Sequence, residues 1–150
     1  MKQVFQDFKS GIPTLHTMPE PNINNNQVLV KSICSLISPG TEGMLASFGK
    51  ANLINKALQQ PDKVKEVFDK ISSDGLLDTL DAVRSKIDSH IPLGYSNFGE
   101  IIKVGVDVKG LKIGDRVASN GPHAELFAVN QNLCALVPDG VAGEDAAFTV

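Results

Sequence analysis

Three stretches hold the side chains that could do chemistry. Residues 38–42 read Ser-Pro-Gly-Thr-Glu, two hydroxyls and a carboxylate where an apolar run stops. Residues 92–100, "PLGYSNFGE", set Tyr95, Ser96 and Asn97 between two glycines. Residues 120–125, "NGPHAE", carry His123 after a Gly-Pro turn. A phenol can donate a proton or a hydrogen bond, hydroxyls can hand one on, and an imidazole can carry a proton near neutral pH. Each residue also has a plainer reading. Thr41 suits the N-cap of a helix opening at Glu42, whose acidic side chain favours a first turn. Tyr95 suits a half-buried aromatic with a wet hydroxyl, and His123 a loop residue bonded to nearby backbone. Spacing alone leaves these open.

Other chemistries lack their residues. Zinc needs three or four Cys, His or carboxylate ligands. Cys34 and Cys134 lie far apart in apolar, strand-like segments, and read as buried reduced thiols. His16 and His90 have no companions at metal spacing. No two glycines stand in G-x-G spacing, so a G-x-G-x-x-G dinucleotide fingerprint cannot occur. A nucleotide site would lie mostly elsewhere.

The elements that must position these residues change character along the chain. "KQVFQDF", "TLHTM" and "QVLVKSICSLI" read as strands, with "PEPNINNN" as a loop. The period then becomes helical. Val64, Val67, Phe68 and Ile71 fall at i, i+3, i+4, i+7, and Leu76, Leu80, Val83 and Ile87 share a second face. A helical block over about residues 42–90 is expected, its apolar faces buried. Strands return in "GEIIKVGVDV" (broken at Gly105), "LKIGDRVAS", "AELFAV" and "LCALVP". Short strands at this spacing suggest a barrel or sandwich. The class is mainly β with a helical insertion (α+β).

The 150 residues are 42% hydrophobic and 21% charged, which suits one soluble domain with a real core. A net charge of -3 argues against a nucleic-acid partner. No apolar run approaches the ~20 residues of a membrane span. The polar opening "MKQVFQDFKSG" lacks the apolar core of a signal peptide, so a cytoplasmic protein is expected. "GEDAAF" near the end reads as a helix just beginning, which suggests a chain cut near a domain boundary.

The order of motifs is recognisable. "VLVKSICSLISPGTE", "PLGYSNFGEIIKVGVDVKGLKIGDRV", "GPHAELFAV" and "LCALVPDGV" resemble the amino-terminal domain of medium-chain dehydrogenase/reductases, the alcohol dehydrogenase-like enzymes. The closest likeness is to bacterial bi-domain oxidoreductases. The resemblance covers nearly the whole chain. It implies a distorted GroES-like β-barrel over residues 1–150, followed by a Rossmann domain that binds NAD or NADP. The substrate cleft would lie between the two. Where zinc-dependent members have Cys-Gly-Thr-Asp and Gly-His-Glu, this chain has Pro39-Gly40-Thr41-Glu42 and Gly94-Tyr95-Ser96. Pro39, Tyr95 and Ser96 thus stand at the metal-ligand positions, so no zinc is expected. The resemblance implies catalytic roles for Tyr95, Thr41, Ser38 and Glu42. Substrate contacts are expected from Ser96, Asn97 and His123. The expected partner is a small-molecule substrate with an alcohol or carbonyl group, for which the narrower likeness suggests a saccharide. The oligomeric state is left open, a homo-oligomer included.

Overall fold

The computed structural model describes residues 1–7, 10–50, 62, 64, 65, 67, 69 and 90–150. Among the described residues, eight strands form two antiparallel sheets. The smaller holds β1 (Lys2–Asp7), β2 (Pro13–Thr17) and β4 (His90–Pro92), with β1 in the middle. The larger runs β7-β3-β5-β6-β8, built from β3 (Gln27–Ser35), β5 (Asn97–Val104), β6 (Arg116–Ser119), β7 (Leu126–Asn130) and β8 (Cys134–Leu136). Helix α1 spans Pro39–Lys50 and α2 Gly143–Ala146. The larger sheet curls into a half-barrel, the GroES-like form expected from the sequence.

β3 pairs with β5 on one side and β7 on the other. A central strand meets protein on both faces, so Val28, Leu29 and Val30 are all buried. Val28 and Val30 join Ile101, Val117, Phe127 and Val129 in the main core. A second cluster sets Phe98 against Ala146 and Ala147 of the C-terminal turn, with Cys34, Leu36 and Val137 packed on it. The β3–β5 register slips between Ser32 and Cys34, just before the chain leaves the sheet for α1. Such an irregularity turns the strand end away from regular pairing.

Backbone hydrogen bonds tie the two sheets together, Glu125 N–H to Lys2 O at 2.9 Å among them. Val4 N–H donates to His123 O at 2.8 Å, His123 N–H to Leu93 O at 2.8 Å, and Leu93 N–H to Val4 O at 3.0 Å. They gather β1, the turn after β4 and the β6–β7 loop at one point. Seven of these strands fall where the sequence places β character; β4 instead takes the end of the expected helical block and the Ile91-Pro92 pair expected only to close it.

The structure moves the start of the helical block. α1 begins at Pro39 rather than Glu42. Ser38, not Thr41, is the N-cap: its Oγ accepts from Thr41 N–H at 3.4 Å, and its carbonyl accepts the first helical bond from Glu42 N–H at 2.9 Å. Proline is favoured at the first helical position, because its missing N–H would have no helical partner there. The block also ends sooner, since His90 already pairs in β4. Val64 and Val67 are helical and half-buried, while Asp62, Lys65 and Asp69 are exposed, which is the expected amphipathic sense. The expected burial of Phe68, Ile71, Leu76, Leu80, Val83 and Ile87 lies outside the described residues. Cys34 and Cys134 are both free thiols, half-buried rather than buried.

Candidate functional site

The three chemistry-bearing stretches meet. The turn after β4 brings Tyr95, the β6–β7 loop brings His123, and the first turn of α1 brings Ser38, Thr41 and Glu42. The backbone triangle fixes the first two. Gly94 lets them approach: its φ is +90°, and a Cβ there would lie 2.6 Å from His123 N. His123 therefore packs directly on the peptide preceding Tyr95.

His123 uses both ring nitrogens. Nδ1 lies 2.8 Å from Ser35 Oγ. Nε2 lies 3.1 and 3.2 Å from the two carboxylate oxygens of Glu42. Glu42 Oε1 also accepts from Ser38 N–H at 3.1 Å, which closes a capping arrangement around the start of α1. The His123 and Glu42 side chains are only 10% and 12% exposed, so their contact is shielded from water.

Tyr95 is half-buried and lies over that first turn. The Ser38 and Thr41 hydroxyls bond its phenol and hold its pKa below the usual 10.0; desolvation and the Glu42 carboxylate push the other way. Hydrogen bonds to the charged form favour ionisation, whereas a nearby like charge opposes it.

Ser96 and Asn97 occupy a different setting. Ser96 is 1% exposed and its Oγ donates to Ala147 O. Asn97 is 0% exposed, its Nδ2 donating to Ser32 Oγ at 2.7 Å and Pro122 O at 3.2 Å. Neither reaches a surface where a small molecule could touch it. They brace the wall behind Tyr95, Ser96 against α2 and Asn97 against the loop that carries His123. Ser35 belongs to the cluster although its sequence context, a small polar residue near a strand end, carries no signal. Its partner lies 88 residues away.

Pro39, Tyr95 and Ser96, which the sequence resemblance sets at the metal-ligand positions, offer a metal little. Pro39 has no donor atom, Tyr95 is a phenol bonded to hydroxyls, and the Ser96 hydroxyl is committed to a carbonyl. Among the described residues no three His, Cys, Asp or Glu side chains are grouped to hold an ion.

Solved structures share this architecture. A quinone oxidoreductase from Coxiella burnetii aligns over 98% of this chain and 40% of its own, at TM-score 0.63 and 21% identity. Galactitol-1-phosphate dehydrogenase from Escherichia coli aligns over 99% of this chain and 41% of its own, at TM-score 0.66 and 20% identity. The mycobacterial protein Rv1454c, solved with NADPH, aligns over 100% of this chain and 36% of its own, at TM-score 0.63 and 19% identity. The fold is thus that of part of the quinone oxidoreductases and alcohol dehydrogenase superfamily proteins, and the chain spans about two-fifths of such a protein. Among curated sequences, a highly reducing polyketide synthase from Cryptosporiopsis sp. is 39% identical over 57 residues, and squalestatin hexaketide synthase from Phoma sp. is 41% identical over 59. Each match covers 37% of this chain and only 2% of the synthase. No family model matches.

Proposed function

We propose that this chain is the substrate-side domain of a cytoplasmic, zinc-independent, NAD(P)-dependent oxidoreductase that acts on an alcohol or carbonyl group. A Rossmann domain following Val150 would bind the dinucleotide, which supplies or accepts the hydride. One observation carries the reading: the Ser38 and Thr41 hydroxyls meet the phenol of Tyr95, the residue that the sequence resemblance sets where zinc-dependent members have a histidine. A polarised carbonyl needs either a Lewis acid or a hydrogen-bond donor on its oxygen, and Tyr95 can be that donor.

In this reading Tyr95 donates to the substrate oxygen and gives up its proton as charge develops there. Ser38 and Thr41 then bond the phenolate. Glu42 orients the turn that carries both hydroxyls. Ser96, Asn97 and His123, read from sequence as substrate contacts, act from behind that surface. The galactitol-1-phosphate dehydrogenase likeness favours a polyol or saccharide, and the NADPH complex among the neighbours favours NADPH.

The test is turnover of the full-length protein, dialysed against chelator, with NADPH or NADH and a panel of carbonyl compounds. Elemental analysis accompanies it. The reading expects undiminished turnover and far less than one zinc per chain. Activity that vanishes on dialysis and returns with zinc would refute it.

A further inference from the structure

We propose that His123, acting through Glu42 and backed by Ser35, is a positioning residue that seats the first turn of α1 beneath Tyr95. The proposal deepens the reading above and rests on it for the use made of Tyr95.

The argument is geometric. Glu42 Oε1 accepts from Ser38 N–H and lies within bonding distance of His123 Nε2. A carboxylate only accepts, so Nε2 carries the proton toward it; Nδ1 accepts from Ser35 Oγ–H in the neutral ring and donates to that oxygen in the protonated one. The line Ser35–His123–Glu42–Ser38 therefore converges on the Glu42 carboxylate, which accepts from both His123 Nε2–H and Ser38 N–H. It joins the end of β3, the β6–β7 loop and the start of α1. Both ring nitrogens are taken and the ring is nearly covered, so His123 has no atom left for a ligand. Without it, Glu42 loses its lateral anchor, and the two hydroxyls under Tyr95 lose the turn that places them. Among the described residues, the ionisable groups around the phenol are Glu42 from α1 and, behind it, His123 from the loop.

Tyr95 is the only tyrosine and the chain has no tryptophan, so tyrosinate absorbance reports one residue. Alkaline titration of the protein, with circular dichroism recorded at each pH, makes the test. Wild type should ionise at lower pH than the same chain in guanidinium. His123→Ala and Ser35→Ala should each move the transition up, toward the denatured value. His123→Gln keeps an N–H donor within reach of Glu42 and should restore most of the shift. A folded His123→Ala that titrates like wild type would overturn the proposal, as would a Gln variant no better than Ala. If His123→Ala fails to fold, Ser35→Ala decides by the same criterion. The reading needs no cofactor or substrate, so its failure is distinct from a failure of turnover.

Discussion

At the residue scale, the site depends on one glycine and one proline. Pro39 lets Ser38 end the strand and cap α1 in a single step. Gly94 lets the turn after β4 pass against His123. A side chain at Gly94 would need both a left-handed backbone and a displaced His123, and Gly94→Ala should cost about 1–3 kcal/mol. Thermal denaturation beside a surface alanine control would measure it. Cys134 offers a check on the packing. Burial raises its thiol from 9.0 to about 11. The fold thus retains a proton that the unfolded chain has already lost between those values, so this group's contribution to stability declines as pH rises through them. Alkylation at pH 8 should be much slower in the native protein than in denaturant; equal rates would contradict the burial. Tyr95, Ser38, Thr41, Glu42 and His123 stand out in the sequence as residues able to do chemistry, because their types are unusual beside Gly and Pro, and the structure brings them together. Their partners were not legible. The capping role passes from Thr41 to Ser38 because proline cannot follow a helical residue comfortably but opens a helix well. Ser35 was invisible because hydrogen bonds across 88 residues leave no local pattern.

At the scale of elements, strands were easier to read than their limits. β3 and β5 stand out as apolar, β-branched runs, and both lie at the centre of the larger sheet. Ile101 is 0% exposed in the main core, so Ile101→Ala should cost about 2–5 kcal/mol. Chemical denaturation would show it as a lower midpoint with an unchanged slope. α2 is held differently. A Cβ at Gly143 would lie 2.4 Å from the Phe98 ring, and Arg116 sits over that ring at 5.0 Å while its Nη2 donates to Val141 O at 2.7 Å. Gly143→Val should therefore loosen the C-terminal turn while leaving the sheets intact. Amide exchange should speed up at Ala146 and Ala147 and stay slow along β3; unchanged protection at Ala147 would contradict it. "GEDAAF" was legible as a helix start from its acidic first turn, but its docking on Phe98 was not, since a ring and a glycine 45 residues apart share no periodicity.

At the scale of the whole molecule, two sheets, one capped helix and two loops converge on a phenol with tuned acidity. The fold class was legible because strand runs and turn signals recur at short spacing. The joining of the two sheets was not, because it is made by backbone bonds among Val4, Leu93 and His123 that any residues could form. The missing dinucleotide fingerprint predicts that this chain alone binds NADPH and NADH negligibly; calorimetric titration showing micromolar affinity would contradict that. The central claim is that the Tyr95 hydroxyl stabilises charge on a substrate oxygen. It is tested most directly by steady-state kinetics of Tyr95→Phe in the two-domain protein proposed above, a change that keeps the ring and removes one oxygen. The account predicts that kcat falls by about 10²-fold or more with dinucleotide affinity unchanged. Wild-type turnover in Tyr95→Phe would contradict it.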